Sequence, residues 1–324
     1  MKALITGGAG FIGSHLGELL LQNGNQVIAL DDLSTGRREN LTQLSTYPGF
    51  SFVEGSVLDA PLVSELVAQS DVVFHLAAAV GVKLIMEKPV LSIETNVLGT
   101  HSVLRAATKF HRKVLLASTS EVYGKGTSVP FGEGDDRLIG PTTKSRWNYA
   151  TTKALDEFWG LAYHAEHDLP VVILRFFNTV GPRQRGRYGM VIPRFVQQAL
   201  ANEPLTVYGD GTQTRAFCDV SDVVQAVAQL AETPDAVGDV FNIGNPEEIS
   251  IGELAERIIG LSGSASVVQK IPYDRVYGEG FQDMQRRVPD VTKINRVIGW
   301  QPTIPLDEIL RRVINFYREQ KSVG

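Results

Sequence analysis

Apolar residues recur along this chain in two alternating ways: short runs of strand length, and longer stretches with helical spacing. Residues 2–6 are a short apolar run; glycines 7, 10 and 13 follow; then Ile12, Leu16, Leu19 and Leu20 fall at helical spacing, which predicts strand, tight turn and helix. Further strands are expected over 26–30, 50–53, 72–76, 113–117 and 171–175, with helices over 61–68, 89–110 and 147–167 between them. Such alternation implies an α/β fold with a doubly wound parallel sheet of the Rossmann kind.

The pattern changes at Asn178. A basic, glycine-rich loop over 181–189 precedes a helical stretch over 193–201 and a strand-like run over 205–208, which reads as a smaller mixed α/β lobe. Helix and strand resume over 219–231 and 240–243, and the remainder is mixed and ends in a helix over 306–319. Two interleaved lobes are therefore expected, the larger from 1–177 with 219–245 and the smaller from 178–218 with 246–324, without an internal repeat.

Composition narrows the partners. A chain of 324 residues with 43% hydrophobic residues can bury a large core, and a net charge of −5 lacks the basic excess of a nucleic-acid binder. A small-molecule partner is expected. The single cysteine, Cys218, cannot form an internal disulfide, no apolar run is long enough to cross a bilayer, and residues 2–6 read as part of the fold rather than a leader. The expected location is the cytoplasm, with no membrane partner. His15, His75, His101, His111, His164 and His167 show no metal-ligand spacing, so they read as structural and no metal is expected. Trp147, Phe158 and Trp159 read as packing or interface residues.

The chemistry lies at the strand ends. Glycines at 7, 10 and 13 let backbone approach a pyrophosphate, which would rest on the unpaired N–H groups and positive dipole end of the following helix. Asp31 and Asp32, ending the second strand, stand where a ribose 2′-hydroxyl would be held and would repel a 2′-phosphate, which favours NAD over NADP although Arg37 and Arg38 lie close by. Tyr149 and Lys153, four apart on a helix, project from one face, and the ammonium is expected to lower the phenol from its usual value of about 10 and make it a general base. The fifth strand runs into Ser118, Thr119, Ser120 and Glu121, at an edge where open sheets bind ligands.

These residues together resemble the extended short-chain dehydrogenase/reductases that remodel nucleotide-linked sugars, and the resemblance covers nearly the whole chain. Gly7, Gly10 and Gly13 match the family's cofactor turn, His75 to Ala78 the end of its fourth strand, Asn96 its long helix, Tyr149 with Lys153 its catalytic pair, and Asn178 with Gly181 to Arg183 its substrate loop. Thr119 takes the catalytic serine/threonine position. The resemblance implies NAD contacts at Gly7, Gly10, Phe11, Ile12, Asp31, Asp32, Ser34, Thr35, Gly36, Val57, Leu76, Ala77, Ala78, Asn96, Ser118, Tyr149, Lys153 and Phe176. Ser56 is included too, although the family usually has an aspartate there. It likewise implies contacts to a UDP-sugar at Lys83, Asn178, Arg187, Val191, Arg215, Arg287 and Asp290, and at Val207 and Tyr208 of a uridine-binding strand. A homodimer through the helices over 89–110 and 147–167 is also implied.

In this family a 4-keto sugar is the branch point to epimerisation, decarboxylation or dehydration. Dehydratases carry Asp-Glu where this chain has Ser120-Glu121, and serine cannot supply the acid that elimination needs. Ser-Glu resembles the UDP-glucuronate decarboxylases. So does the segment over 281–287, whose Arg287 would act in the reaction or hold diphosphate; the catalytic set is then Thr119, Ser120, Glu121, Tyr149, Lys153 and Arg287. The alternative is a UDP-sugar 4-epimerase, favoured by the segment over 81–83 and by Ile85 where decarboxylases have tyrosine. Outside the enzyme class, an NAD-binding sensor or scaffold would need none of Thr119, Tyr149 and Lys153.

Overall fold

The computed structural model describes residues 1–81, 86–186, 190–272, 275 and 286–323. The first half alternates strand and helix except between β2 and β3, which only short 3-10 turns separate: β1 Lys2–Thr6, α1 Phe11–Gln22, β2 Gln26–Asp31, β3 Phe50–Glu54, α2 Ala60–Ala68, β4 Val72–His75, α3 Pro89–Phe110, β5 Lys113–Thr119, α4 Trp147–His167 and β6 Val171–Phe176. After them come β7 Thr179–Val180, α5 Val191–Leu200, β8 Leu205–Tyr208, β9 Thr214–Ala216, β10 Cys218–Asp219, α6 Val220–Glu232 and β11 Asp239–Ile243. The chain continues through β12 Glu248–Ser250, α7 Ile251–Ser262, β13 Val268–Ile271, α8 Thr292–Ile298 and α9 Leu306–Val323.

Seven strands form one sheet in the order β11-β6-β5-β4-β1-β2-β3. Every pairing in it is parallel. Side chains alternate between its faces, as strand geometry requires. Ala3, Ile5, Phe74 and Leu115 pack with Leu16 and Leu20 of α1 and Val223, Val227 and Leu230 of α6. Leu4, Val73, Leu116 and Ile173 pack on the other face with Val63 and Val67 of α2 and Val103, Leu104 and Ala107 of α3. Because both faces are covered, the strands read as continuous apolar runs, which is why they were legible.

A separate core joins α5, α7 and α9 around Ile192, Phe195, Leu254, Ile258, Leu310 and Val313. Its strand pairs join residues far apart in sequence: β13 lies parallel to β8, and β12 antiparallel to β9. Among the described residues no helix is long and apolar enough to cross a membrane.

Candidate active site

β1 and β4 are neighbours in the sheet, yet the chain leaves them toward opposite halves, so a crevice opens beyond their carboxyl ends. A cavity of about 610 Å³ lies there. One end of its described wall is Gly7, Gly10, Phe11 and Ile12 at the start of α1, with Asp31, Asp32, Ser34, Thr35 and Val57 beyond β2 and β3. The middle is Leu76, Ala77 and Ala78 beyond β4, and the far end is Ser118, Thr119, Ser120, Glu121, Tyr149, Lys153, Phe176, Asn178 and Arg287.

The glycine end is shaped for backbone contact. Gly7 has φ +72°, and a Cβ on it would stand 2.9 Å from the Ala77 nitrogen, so a side chain there is excluded twice over. Gly10 caps α1 without any side-chain hydrogen bond, which leaves the first-turn N–H groups for a ligand. Asp31 accepts from the Ala9 amide at 3.0 Å and the Leu33 amide at 2.8 Å, and so ties the glycine turn to the end of β2. Burial nevertheless pushes its carboxyl above the ordinary value. Asp32 accepts from the Ser34 amide at 2.9 Å. An N-terminal anion cradle and a fixed carboxylate across from it fit the pyrophosphate and ribose of NAD.

At the reacting end, β5 runs through Thr119, two residues past the expected strand end, and Thr119 caps the short turn Ser120–Tyr123 by accepting from the Glu121 amide at 3.2 Å. The Thr119 hydroxyl also faces the Tyr149 phenol on the same wall. The Glu121 carboxylate is held by two guanidinium groups, Arg287 on one oxygen and Arg146 at 3.3 Å on the other. Arg287 donates as well to Asn178 Oδ1 at 2.8 Å. Burial alone would raise the Glu121 carboxyl, but Arg287 and then Arg146 outweigh it and hold it below the usual range.

One expectation is reversed. The Tyr149 phenol is not lowered: burial first, and then the negative charges of Glu121 and Asp156, push it above its ordinary value. Asp156, the third of these causes, is a partner invisible in the four-residue spacing. Lys153 Nζ lies 2.7 Å from Asp156 Oδ2, and both side chains are buried.

Several residues expected at the ligand lie off the described wall. Asn96 is buried behind it, where Oδ1 accepts from the Ala79 amide at 2.8 Å and Nδ2 donates to Thr152 at 3.4 Å, so it braces the loop after β4. Gly36 lies against the Asp31 carboxylate, and the Ser56 hydroxyl accepts from the Leu58 amide at 3.2 Å. Val207 is part of the second core, against which Val191 packs; Tyr208 lies under the Arg194 guanidinium at 3.9 Å. Arg215 donates to the Thr214 carbonyl at 2.7 Å, and Asp290 accepts from the Thr292 amide at 2.8 Å in the turn into α8. Lys83, Arg187 and most of the segment over 281–287 lie outside the described residues.

Other wall residues were missed or left open by the sequence. Arg146, three positions before Tyr149, gave a signal only in its helical spacing; Arg183 and Arg185 reach the wall, as does Gln184 between them. Their loop is pinned to α1, where His15 donates to the Pro182 carbonyl at 3.0 Å and Arg183 pairs with Glu18.

A parallel sheet of this order, with a glycine turn, an acid-ended second strand and a Thr-Tyr-Lys group at its carboxyl edge, defines an enzyme built on a dinucleotide cofactor. The chain belongs to the NAD dependent epimerase/dehydratase family, whose model matches residues 3–244. It is 47% identical over 320 residues to UDP-N-acetyl-alpha-D-glucosaminuronate decarboxylase of Bacillus cytotoxicus, covering 98% of each chain. It is 37% identical to UDP-glucuronic acid decarboxylase 1 of Xenopus tropicalis, covering 98% of this chain and 72% of that one. Among solved structures it resembles UDP-glucuronic acid 4-epimerase of Bacillus cereus in complex with UDP-glucuronic acid and NAD, with a TM-score of 0.88, 32% identity, and coverage of 99% and 100%. The protein is thus an NAD-dependent enzyme of nucleotide-sugar metabolism.

Proposed function

We propose that the protein decarboxylates a UDP-linked hexuronate through a 4-keto intermediate, with UDP-glucuronate or its 2-acetamido counterpart as substrate. The observation that carries this reading is the Glu121–Arg287 ion pair on the same wall as Tyr149, because it sets a fixed carboxylate and a guanidinium beside the reacting sugar. Both decarboxylase relatives support it. NAD would be held by the Gly7–Gly10 turn and the Asp31 carboxylate, and would supply a hydride acceptor and donor for the C4 hydrogen.

The side chains supply the rest. Tyr149 takes the O4 proton, and Lys153 and Thr119 steady the phenolate. When CO₂ leaves C5, charge spreads onto O4, where the Tyr149 and Thr119 hydroxyls donate to it. Glu121 is held ionised, so it acts as an acceptor: it orients the ring and the water from which C5 is reprotonated. Arg287, anchored to Glu121 and Asn178, faces the sugar carboxylate rather than a distant diphosphate. Ser120 lines the same turn.

The cofactor lobe comprises 1–177 with 219–245 and the sugar-nucleotide lobe 178–218 with 246–324, in a cytoplasmic homodimer. The dimer is supported by apolar side chains exposed on α3 and α4, among them Val90, Ile93, Leu98, Leu155 and Phe158. A 4-epimerase is the second reading, supported by the Bacillus cereus structure. Identifying the product of each uronate by NMR decides between them: a pentose nucleotide supports decarboxylation, and a C4 epimer overturns it.

A further inference from the structure

Lys153 and Asp156 form the most deeply buried ion pair among those described, with side chains 2% and 0% exposed. A buried pair of this kind adds little stability over an apolar pair, because desolvating two charges consumes most of the attraction. Its consequence lies in where the ammonium is directed. Lys153 also lines the cavity, as does Tyr149 one helical turn before it, so the ammonium is held by a buried carboxylate on the wall that carries the phenol.

Among the described residues Asp156 is the only anion in contact with Lys153. Asp156 Oδ2 takes Lys153 while its Oδ1 has no hydrogen-bond partner among the described residues; Thr100 of α3 stands beside the carboxyl, and His75 of β4 reaches the Thr100 hydroxyl at 3.1 Å. Burial, with Lys153 nearby, holds His75 neutral by pulling it down to about 3. Glu157, next on α4, is turned to Arg175, which it binds at 2.7 Å. Tyr149 itself faces Thr119 of β5, and Glu121 and Arg287 beyond it.

We propose that Asp156 is a positioning residue that competes for Lys153 with Tyr149 and the bound cofactor, and thereby sets the pH at which turnover begins. The idea rests on the proposed role of Tyr149 as base. With Asp156 in place, part of the ammonium charge is neutralised and the phenol ionises late; cofactor binding must draw the ammonium away from the carboxylate. Removing the carboxylate gives the whole charge to Tyr149.

Replacement of Asp156 by Asn tests this in two ways. The acid limb of the kcat/KM profile is expected to move down by about one pH unit, and Asp156→Glu is expected to return it toward the wild-type position. In the Tyr149→Phe background, where no turnover intervenes, Asp156→Asn is expected to tighten NAD at least about threefold by calorimetry. An unmoved or raised acid limb, a uniform loss of rate at every pH, or unchanged or weaker NAD binding overturns the proposal. Should Asp156→Asn fail to fold by circular dichroism, Asp156→Ser is read in the same way. The wild-type protein gives a check free of any change at position 156: without NAD, the tyrosinate absorbance lost on Tyr149→Phe should appear only above pH 9, and its appearance near neutrality overturns the proposal. If Tyr149→Phe keeps full turnover, the base assignment fails instead, which is a separate result.

Discussion

Glu121 and Arg287 stand 166 positions apart in sequence and meet side chain to side chain on the cavity wall. β5 delivers the first, and the second follows from a short pairing in which the Phe131 amide donates to the Val288 carbonyl at 2.8 Å and the Asp290 amide to the Phe131 carbonyl at 2.8 Å. The pair is thus positioned by backbone on both sides. It joins the loop after the catalytic strand to the segment ahead of α8.

Replacing Glu121 by Gln keeps the shape and removes the charge. We expect kcat for CO₂ release to fall about 10²-fold or more, with KM changed less than about threefold, the pattern of an interaction made in the transition state. Steady-state kinetics on the uronate substrate measure it. A raised KM with kcat unchanged would assign Glu121 to uniform substrate binding.

The same variant has a signature in acid. The folded-state Glu121 carboxyl lies below its ordinary value because Arg287 and Arg146 outweigh burial. A lowered folded-state value contributes stability that is present above the unfolded carboxylate range, about pH 4.3, and is lost as pH falls through the folded value. The Tm advantage of wild type over Glu121→Gln should therefore be largest near neutrality and shrink below about pH 4.3. Calorimetric scans of both proteins across that range check the sign.

Gly7→Ala strikes the cofactor end. The left-handed backbone at φ +72° and the 2.9 Å approach to the Ala77 nitrogen both oppose a methyl group. A cost of about 1–3 kcal/mol is expected, read as a fall in Tm, together with at least tenfold weaker NAD binding by calorimetry. Unchanged NAD affinity would show that the turn does not hold the cofactor.

How much of this was legible depended on the distance over which the information is carried. β1, the glycine turn and α1 are consecutive, and buried parallel strands announce themselves as apolar runs, so that region was readable. Tyr149 and Lys153 were found because four residues is one helical turn. Asp156 lies three residues further on the same helix, but only burial distinguishes it from a solvated acid, and burial is set by α3 and β5 packing against that helix. Arg287 was found by resemblance, yet its partner came from the pairing at Phe131, which no local pattern encodes. Motif position places Asn96 near the cofactor but does not reveal which way its amide points, and the side chain bonds Ala79 and Thr152.

The dimer proposal is tested on the outer faces of α3 and α4. Phe158 is 60% exposed and Leu98 49% exposed, and both lie on the helices expected to pair. Phe158→Arg with Leu98→Arg should give a monomer by light scattering at micromolar concentration, with an unchanged circular dichroism spectrum. A dimer surviving both substitutions would place the interface elsewhere.

The central claim is settled by what becomes of the sugar carboxylate. Incubation with UDP-glucuronate and, separately, UDP-N-acetylglucosaminuronate in deuterated water, each labelled with ¹³C at the carboxylate, lets NMR follow the label. One labelled CO₂ for each substrate consumed is expected on at least one of the two, with a pentose nucleotide as product and a solvent deuterium at C5. An inverted C4 centre with the carboxylate still attached, on either substrate and without CO₂, would contradict it and establish the 4-epimerase instead.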